Sequence, residues 1–99
     1  MKQLDNTIIK NGFTYELVKR NSYKAIYKQL LDGEFISYEI FFIKVLKPSI
    51  CFGKDLGLRE KFPSNEDFGY TAWSTRDYNR ACEIYNNIEE KIIQDEVQN

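Results

Sequence analysis

The first half of the chain alternates hydrophobic and polar residues with a period of two, which is typical of β-strands. Three turn signals, Asn11-Gly12, Asn21-Ser22 and Asp32-Gly33, divide it into strand-length segments. An Asn-Gly pair favours a tight hairpin, because both central residues of a type I′ turn need positive φ. The pattern therefore predicts antiparallel strands in meander order, over residues 7–10, 13–20, 23–30 and 36–46.

The strand predicted from Ile36 to Leu46 is hydrophobic on both faces. One face carries Phe41, Ile43 and Val45, and the other carries Tyr38, Ile40 and Phe42. Such a strand lies at the centre of a sheet or under a second cover. The pair Lys47-Pro48 ends the strand, because proline donates no hydrogen bond to a ladder.

Residues 49–73 have no clear periodicity and are rich in turn-forming residues. They are expected to form a long connection, in which Ser64 caps one helical turn that Gly69 ends. A short last strand is expected over residues 70–73. The side chains expected to anchor this connection to the core are Pro63, Phe68 and Trp73.

The last quarter of the chain changes to a hydrophobic spacing of three and four, which predicts an amphipathic helix that ends near Gln94. The apolar positions are Tyr78, Ala81, Cys82, Tyr85, Ile88 and Ile92, and the candidate caps are Ser74, Thr75 and Asp77. The predicted fold is a single α+β domain over residues 1–94, in which an antiparallel meander sheet of four to five strands packs against one long C-terminal helix. Residues 95–99 are expected to be a disordered tail.

One helix covers only one face of a small sheet. The apolar residues on the second face of the strand over 36–46 therefore need another cover. That cover is the segment 49–73, a second copy of the chain or a partner protein.

The charge balance disfavours two classes of protein. The 99 residues include 14 Lys and Arg against 15 Asp and Glu, for a net charge of −1. A domain that binds DNA mainly through phosphates is expected to be strongly basic, and a DNA mimic strongly acidic. No apolar run approaches the roughly 20 residues that cross a bilayer. The N-terminus lacks the apolar region of a secretory signal, so we expect a cytoplasmic protein with reduced cysteines.

Catalytic and metal-binding patterns are weak. The chain has no histidine, which removes Ser-His and Cys-His catalysis. The run from Gly53 to Gly57 lacks the spacing of a phosphate-binding loop, and Cys51 and Cys82 lack that of a zinc site. The adjacent carboxylates of Glu66-Asp67 would point about 100° apart on a helical turn. We predict that the protein is not an enzyme and has no cofactor and no metal.

The chain holds one Trp, seven Tyr and seven Phe, most of which we expect in the core. Tyrosines on neighbouring strands, interleaved with lysines, also fit a stacking platform for single-stranded nucleic acid. The residues that would bind nucleic acid in this alternative are Lys24, Tyr27 and Lys28. The competing interpretation is cross-strand aromatic packing beneath the helix.

A stretch over residues 62–73, followed directly by the predicted helix, resembles small uncharacterised proteins of phages and mobile elements from AT-rich bacteria. The positions that carry the resemblance are Phe62, Pro63, Asn65, Glu66, Phe68, Gly69, Ala72 and Trp73. The resemblance implies a compact accessory protein that acts on host machinery, and it implies no catalytic residue.

These patterns favour a small non-catalytic module that binds or inhibits another protein. We expect its binding surface in the segment 49–73, with an aromatic anchor and a charged rim. The predicted partner-binding residues are Phe52, Lys54, Asp55, Arg59, Glu60 and Lys61. The expected partner is another protein or a second copy of the chain; nucleic acid is the alternative, and no membrane contact is expected.

Overall fold

The computed structural model of the protein describes residues 2–46, 49–51, 54–56, 58–64, 68–69 and 71–98. In this part of the chain nine strands precede one helix. They are β1 (Thr7–Lys10), β2 (Phe13–Arg20), β3 (Lys24–Leu31), β4 (Glu34–Phe42), β5 (Lys44–Leu46), β6 (Ser49–Cys51), β7 (Lys54–Leu56), β8 (Arg59–Lys61), β9 (Ala72–Thr75) and α1 (Tyr78–Gln98). Five strands form one antiparallel sheet in the order β1-β2-β3-β4-β9, and α1 packs on it. The predicted α+β fold is confirmed.

The turns of the meander lie where the sequence predicts them. Asn11 and Gly12 have φ angles of 55° and 84°, and Asp32 and Gly33 have 51° and 82°. Positive φ at both central positions is the type I′ geometry, which Gly, Asn and Asp adopt at the least cost. At the turn between β2 and β3 the carboxamide oxygen of Asn21 accepts two backbone N–H bonds, at 2.9 and 3.0 Å. These bonds fix the start of β3.

The segment predicted as an irregular connection instead contains two nested pairs of short strands. β5 pairs with β8, with Lys44 opposite Lys61, and β6 pairs with β7, with Ser49 opposite Leu56. The single strand predicted over 36–46 is therefore two strands, β4 and β5, separated by Ile43. Each strand from β5 to β8 has three residues, which is too short for a period of two to identify it.

The end of this segment also differs from the prediction. Of the helical turn predicted after Ser64, residues 65–67 lie outside the described residues. Phe68 forms a bridge with Ala72, and the N–H of Gly69 donates to the Ala72 carbonyl at 2.7 Å. The last strand, β9, begins at Ala72, two residues later than predicted.

One face of the sheet, the helix face, carries Ile26 and Ile40 and is covered by α1. Both side chains are fully buried, and they pack against Ala81, Tyr85 and Ile88. The spacing of three and four places these helix residues on one side of α1, as the sequence predicts. The helix face is therefore covered by a single regular element.

The opposite face carries Tyr27 and Phe41, which are also fully buried. The chain itself covers this face with two cover segments, residues 2–6 and 58–64, from which Leu4 and Phe62 pack inward. The ring centroid of Phe62 lies 5.0 Å from that of Phe41 and 5.6 Å from that of Tyr27. Of the predicted anchors, Pro63 is buried and Phe68 packs on this face, whereas Trp73 packs on the helix face.

The helix begins with a side-chain cap. The carboxylate of Asp77 accepts a hydrogen bond from the Asn79 N–H at 2.9 Å, so Asp77 is the cap among the three candidates. The helix extends to Gln98, beyond the end predicted near Gln94. The disorder predicted for residues 95–99 stays a prediction. None of the described helices combines the length and the apolar composition needed to cross a membrane.

Candidate functional site

The predicted partner-binding residues are distributed along the nested strand pairs. Lys54 and Asp55 lie in β7, and Arg59, Glu60 and Lys61 form β8. Phe52 lies outside the described residues. Lys61 is exposed and Arg59 is half-buried. The binding role of this set stays a prediction, but one of its members has a different environment from the one expected.

Glu60 is buried rather than part of an exposed charged rim. Its side chain is 1% exposed, and its two oxygens accept hydrogen bonds from the two Nη atoms of Arg20, each at 2.7 Å. One of these oxygens also accepts the backbone N–H of Leu4 at 2.8 Å. These bonds hold the pKa of Glu60 below its usual range, chiefly through the hydrogen bonds from Arg20. Glu60 therefore joins both cover segments to β2.

The stacking platform predicted from Lys24 and Tyr27 is also buried. Tyr27 is fully buried, its hydroxyl donates to the Asp5 carbonyl at 2.8 Å, and burial raises its pKa to about 12. The Nζ of Lys24 donates to the carbonyl of Tyr85 at 2.7 Å and lies 4.2 Å from the centroid of that ring. The alternation predicted for β3 is confirmed, but both faces of the strand are covered at Lys24 and Tyr27. Lys28, the third residue, is half-buried.

A cluster of aromatic rings does reach the surface at one end of the helix face. The rings are those of Phe35, Tyr38 and Tyr78, and together with the adjacent Arg76 they are here called the aromatic surface. The ring of Tyr38 lies 4.9 Å from that of Phe35 and 5.6 Å from that of Tyr78, centroid to centroid. The guanidinium of Arg76 lies 6.0 Å from the Phe35 centroid, within the range of a cation–π contact.

The aromatic surface is accessible and bordered by positive charge. Tyr78 is 48% exposed, although the helical periodicity groups it with the buried side of α1. A hydrogen bond with Cys82 raises the pKa of Tyr78. Lys28 lies directly opposite Tyr38 in the sheet. No ion pair of Lys28 or Arg76 occurs within the part of the chain that the structure describes.

Sequence reasoning identified Tyr38 and Lys28 but missed the residues that meet them. Tyr78 directly follows the cap at Asp77, so it stands in the first turn of α1. The signal was the position of the cap, which places this turn beside the middle of β4. Phe35 is brought beside Tyr38 by the register shift between Gln29 and Leu30, which the sequence does not indicate.

A second feature is a cleft between the N-terminal cover segment and β8. It has a volume of about 220 Å³, and it is lined by Leu4, Ile8 and Phe62 together with the polar residues Lys2, Gln3, Asp5, Arg59 and Glu60. The Nη1 atom of Arg59 is buried and has no hydrogen-bond partner among the described residues. The cleft thus joins an apolar wall to a guanidinium that has one buried donor without a partner among the described residues.

A third feature is a buried polar network on the opposite face. The Ser37 hydroxyl lies 3.1 Å from both the Gln29 carboxamide oxygen and Glu39 Oε1, and Gln29 donates to the Tyr15 hydroxyl at 3.0 Å. Glu39 Oε2 is buried without a partner in the described part of the chain. Burial raises the pKa of Glu39 to about 7, against the opposing hydrogen bond from Ser37.

Comparisons with known proteins add no family to this description. No family model, curated protein or solved structure matches the chain. The resemblance of residues 62–73 to small phage proteins stays a prediction. Within the described residues, no group of three or more His, Cys, Asp or Glu side chains is arranged to hold a metal ion.

Proposed function

We propose that the protein is a non-catalytic module that binds or inhibits another protein, and that the partner docks on the aromatic surface. The observation that carries the proposal is the half-exposed ring of Tyr78, stacked edge-on against Tyr38 at 5.6 Å. Tyrosine and arginine are enriched among residues that dominate binding energy at protein interfaces. The aromatic surface combines both types in one cluster.

The borders of this surface suggest the chemistry of the partner. Arg76 lies near the Phe35 ring and Lys28 lies opposite Tyr38, and neither forms an ion pair among the described residues. A protein segment with one apolar anchor beside a carboxylate would place the anchor on the rings and the carboxylate near Arg76 or Lys28. This role fits the accessory context that the phage resemblance implies.

The test compares two exposed apolar side chains. Tyr78 is 48% exposed and Leu58, in the second cover segment, is 47% exposed, so Leu58→Ala is a matched control for Tyr78→Ala. We expect a protein from the source organism to be retained by the wild type and by Leu58→Ala. With purified components, Tyr78→Ala should weaken that binding about tenfold or more by calorimetry. Binding that survives Tyr78→Ala unchanged would contradict the proposal.

Light scattering tests whether the partner is a second copy, since a dimer lost in Tyr78→Ala would identify this chain as its own partner.

Nucleic acid is the second candidate, because Lys28 lies beside Tyr38 in the sheet. Fluorescence anisotropy with single-stranded oligonucleotides at about 50 mM salt tests it, and binding should fall as salt rises. Lys28→Gln and Tyr78→Ala should both weaken such binding.

A further inference from the structure

The cleft beside Arg59 has the composition of a small ligand site. Leu4, Ile8 and Phe62 line an apolar wall, and the polar lining residues are Lys2, Gln3, Asp5, Arg59 and Glu60. The cleft volume of about 220 Å³ is smaller than that of typical pockets for drug-sized ligands, which begin near 300 Å³. The cleft therefore suits a ligand smaller than a drug-sized molecule.

One donor of the Arg59 guanidinium lacks an acceptor in the part of the chain that the structure describes. Its Nη1 is buried without a hydrogen-bond partner among the described residues. The neighbouring acid, Glu60, is occupied by Arg20 through two bonds of 2.7 Å and by the Leu4 N–H at 2.8 Å. A buried donor without a partner is costly, and the planar fork of guanidinium donors matches the two oxygens of a carboxylate. A carboxylate therefore fits as the acceptor at Nη1 of Arg59.

We infer that this cleft binds a monocarboxylate on a short apolar body, with the carboxylate at Arg59 and the hydrocarbon on Leu4 and Phe62. The apolar wall selects against a phosphate or sulfate, which would be left without polar partners on that side. The apolar lining residues pack on the opposite face of the sheet, whereas Tyr38 of the aromatic surface packs on the helix face. The inference is thus independent of the proposed protein-binding role.

Hexanoate and hexanamide test the inference, because they share a hydrocarbon body and differ in charge. In NMR titrations of ¹⁵N-labelled protein, hexanoate should shift amide signals of residues 2–5 and 58–62 with a millimolar Kd. Hexanamide should bind at least tenfold more weakly. Equal binding of the two, or shifts confined to other parts of the chain, would overturn the inference.

Variants of Arg59 separate its charge from the shape of the cleft. Arg59→Gln should weaken hexanoate binding about 10- to 100-fold, the range for a charge-assisted hydrogen bond. Arg59→Lys should bind hexanoate with an affinity between those of the wild type and Arg59→Gln, since lysine keeps the charge but lacks the planar guanidinium. Lys61→Gln, which removes an exposed charge from the same strand, should bind like the wild type. The thermal melt of Arg59→Gln reports whether it is folded, and unchanged binding by a folded Arg59→Gln would overturn the inference.

Two kinds of ligand carry such a carboxylate, a free acid and the C-terminus of a protein chain. N-acetyl-leucine and its amide represent the second source. If N-acetyl-leucine binds at least tenfold more tightly than hexanoate, the site recognises a chain terminus. If hexanoate binds more tightly, it recognises a free acid. Binding of neither carboxylate overturns the inference.

Discussion

The two faces of the central sheet are covered in different ways. On the helix face, α1 supplies Ala81, Tyr85 and Ile88 from one regular element. On the opposite face, the two cover segments and Phe68 supply side chains from three separate parts of the chain. A helix carries its own hydrogen bonds, whereas short irregular segments need partners elsewhere. The opposite face therefore depends on polar bonds between residues distant in sequence.

These bonds are visible in the structure. Glu60 accepts hydrogen bonds from Arg20, 40 residues away in sequence, and from the Leu4 N–H. The Tyr27 hydroxyl reaches the Asp5 carbonyl, and Lys10 Nζ donates to the Pro63 carbonyl at 3.1 Å. The cover segments are thus held by several specific contacts in addition to the pairing of β8 with β5.

Each face also buries an acidic or basic side chain of the sheet strands, with a different outcome. Lys24 on the helix face is 2% exposed, and its ammonium donates to the Tyr85 carbonyl. Glu39 on the opposite face is 5% exposed, and one of its oxygens has no partner among the described residues. The helix face satisfies its buried charge, while the opposite face keeps a carboxyl whose neutral form is favoured.

The largest expected effect comes from removing the ring at the centre of the opposite face. Phe41→Ala leaves a cavity beside Tyr27 and Phe62 and should lower the free energy of unfolding by about 3–5 kcal/mol. Amides of residues 58–61 should then exchange faster, because Phe62 loses its 5.0 Å ring contact. Ile40→Val on the helix face is the control, and exchange of residues 58–61 as slow in Phe41→Ala as in this control would contradict the dependence of the cover on Phe41.

The second largest expected effect comes from breaking the ion pair between Arg20 and Glu60, which holds the cover segments on β2. Arg20→Ala leaves the Glu60 carboxylate, 1% exposed, without its counter-charge, and should cost about 3 kcal/mol at pH 7 in denaturant unfolding. The lowered pKa of Glu60 means that its stabilisation is present at neutral pH and is lost as the pH falls below its ordinary range.

In Arg20→Ala this acid-sensitive contribution should disappear, so the variant and the wild type should converge in stability toward low pH. A constant difference between them from pH 7 to pH 3 would show that Arg20 acts through packing of its stem. Arg80→Ala, which breaks an exposed pair on α1 at 2.7 Å, is the matched control and should change stability by less than about 0.5 kcal/mol.

The contrast between the faces also explains which parts of the molecule the sequence predicts. Strands β1 to β4 and α1 are recognised because local periodicity, turns and a cap define them. The cover of the opposite face depends on pairing of Lys44 with Lys61 and of Arg20 with Glu60, across 17 and 40 residues. No local pattern contains such pairings. Glu60 therefore resembles an exposed charge in the sequence, and only its distant partner accounts for its burial.

The aromatic surface also shows that local sequence patterns do not determine which side chains are exposed. Tyr78 fits the apolar spacing of the helix, but its place in the first turn leaves it 48% exposed. Tyr27 fits an exposed tyrosine on an alternating strand, but Leu4 and Phe62 pack onto its cluster. Exposure depends on where each covering element ends, and local patterns define those ends only within a few residues.

The buried carboxyl of Glu39 predicts a moderate effect with the opposite pH dependence. Its pKa rises from 4.5 to about 7 in the folded protein, so the folded state binds this proton more tightly than the unfolded state. Its contribution to stability is full below about pH 4.5 and is lost as the pH rises through about 7. The loss should be roughly 1–3 kcal/mol, because a tenfold difference in proton affinity between the two states corresponds to about 1.4 kcal/mol.

Glu39→Gln removes this titration and should make the protein more stable than the wild type at pH 8 but not at pH 4. Glu16→Gln, an exposed change on β2, should leave the pH profile unaltered. Denaturant unfolding from pH 4 to pH 8 measures both. A wild-type profile identical to that of Glu39→Gln would contradict the raised pKa.

The smallest expected effect tests whether the helix face depends on anything beyond its apolar contacts. Asp77 accepts the Asn79 N–H at 2.9 Å, so Asp77→Ala leaves that donor to water and should cost about 1 kcal/mol. Asp77→Asn keeps an oxygen in the cap and should cost only a few tenths of that amount. Thermal unfolding measures both variants. Because the cap bonds only to its own helix, hydrogen exchange of residues 58–61 should remain as in the wild type, and faster exchange there would mean that the two faces are not independent.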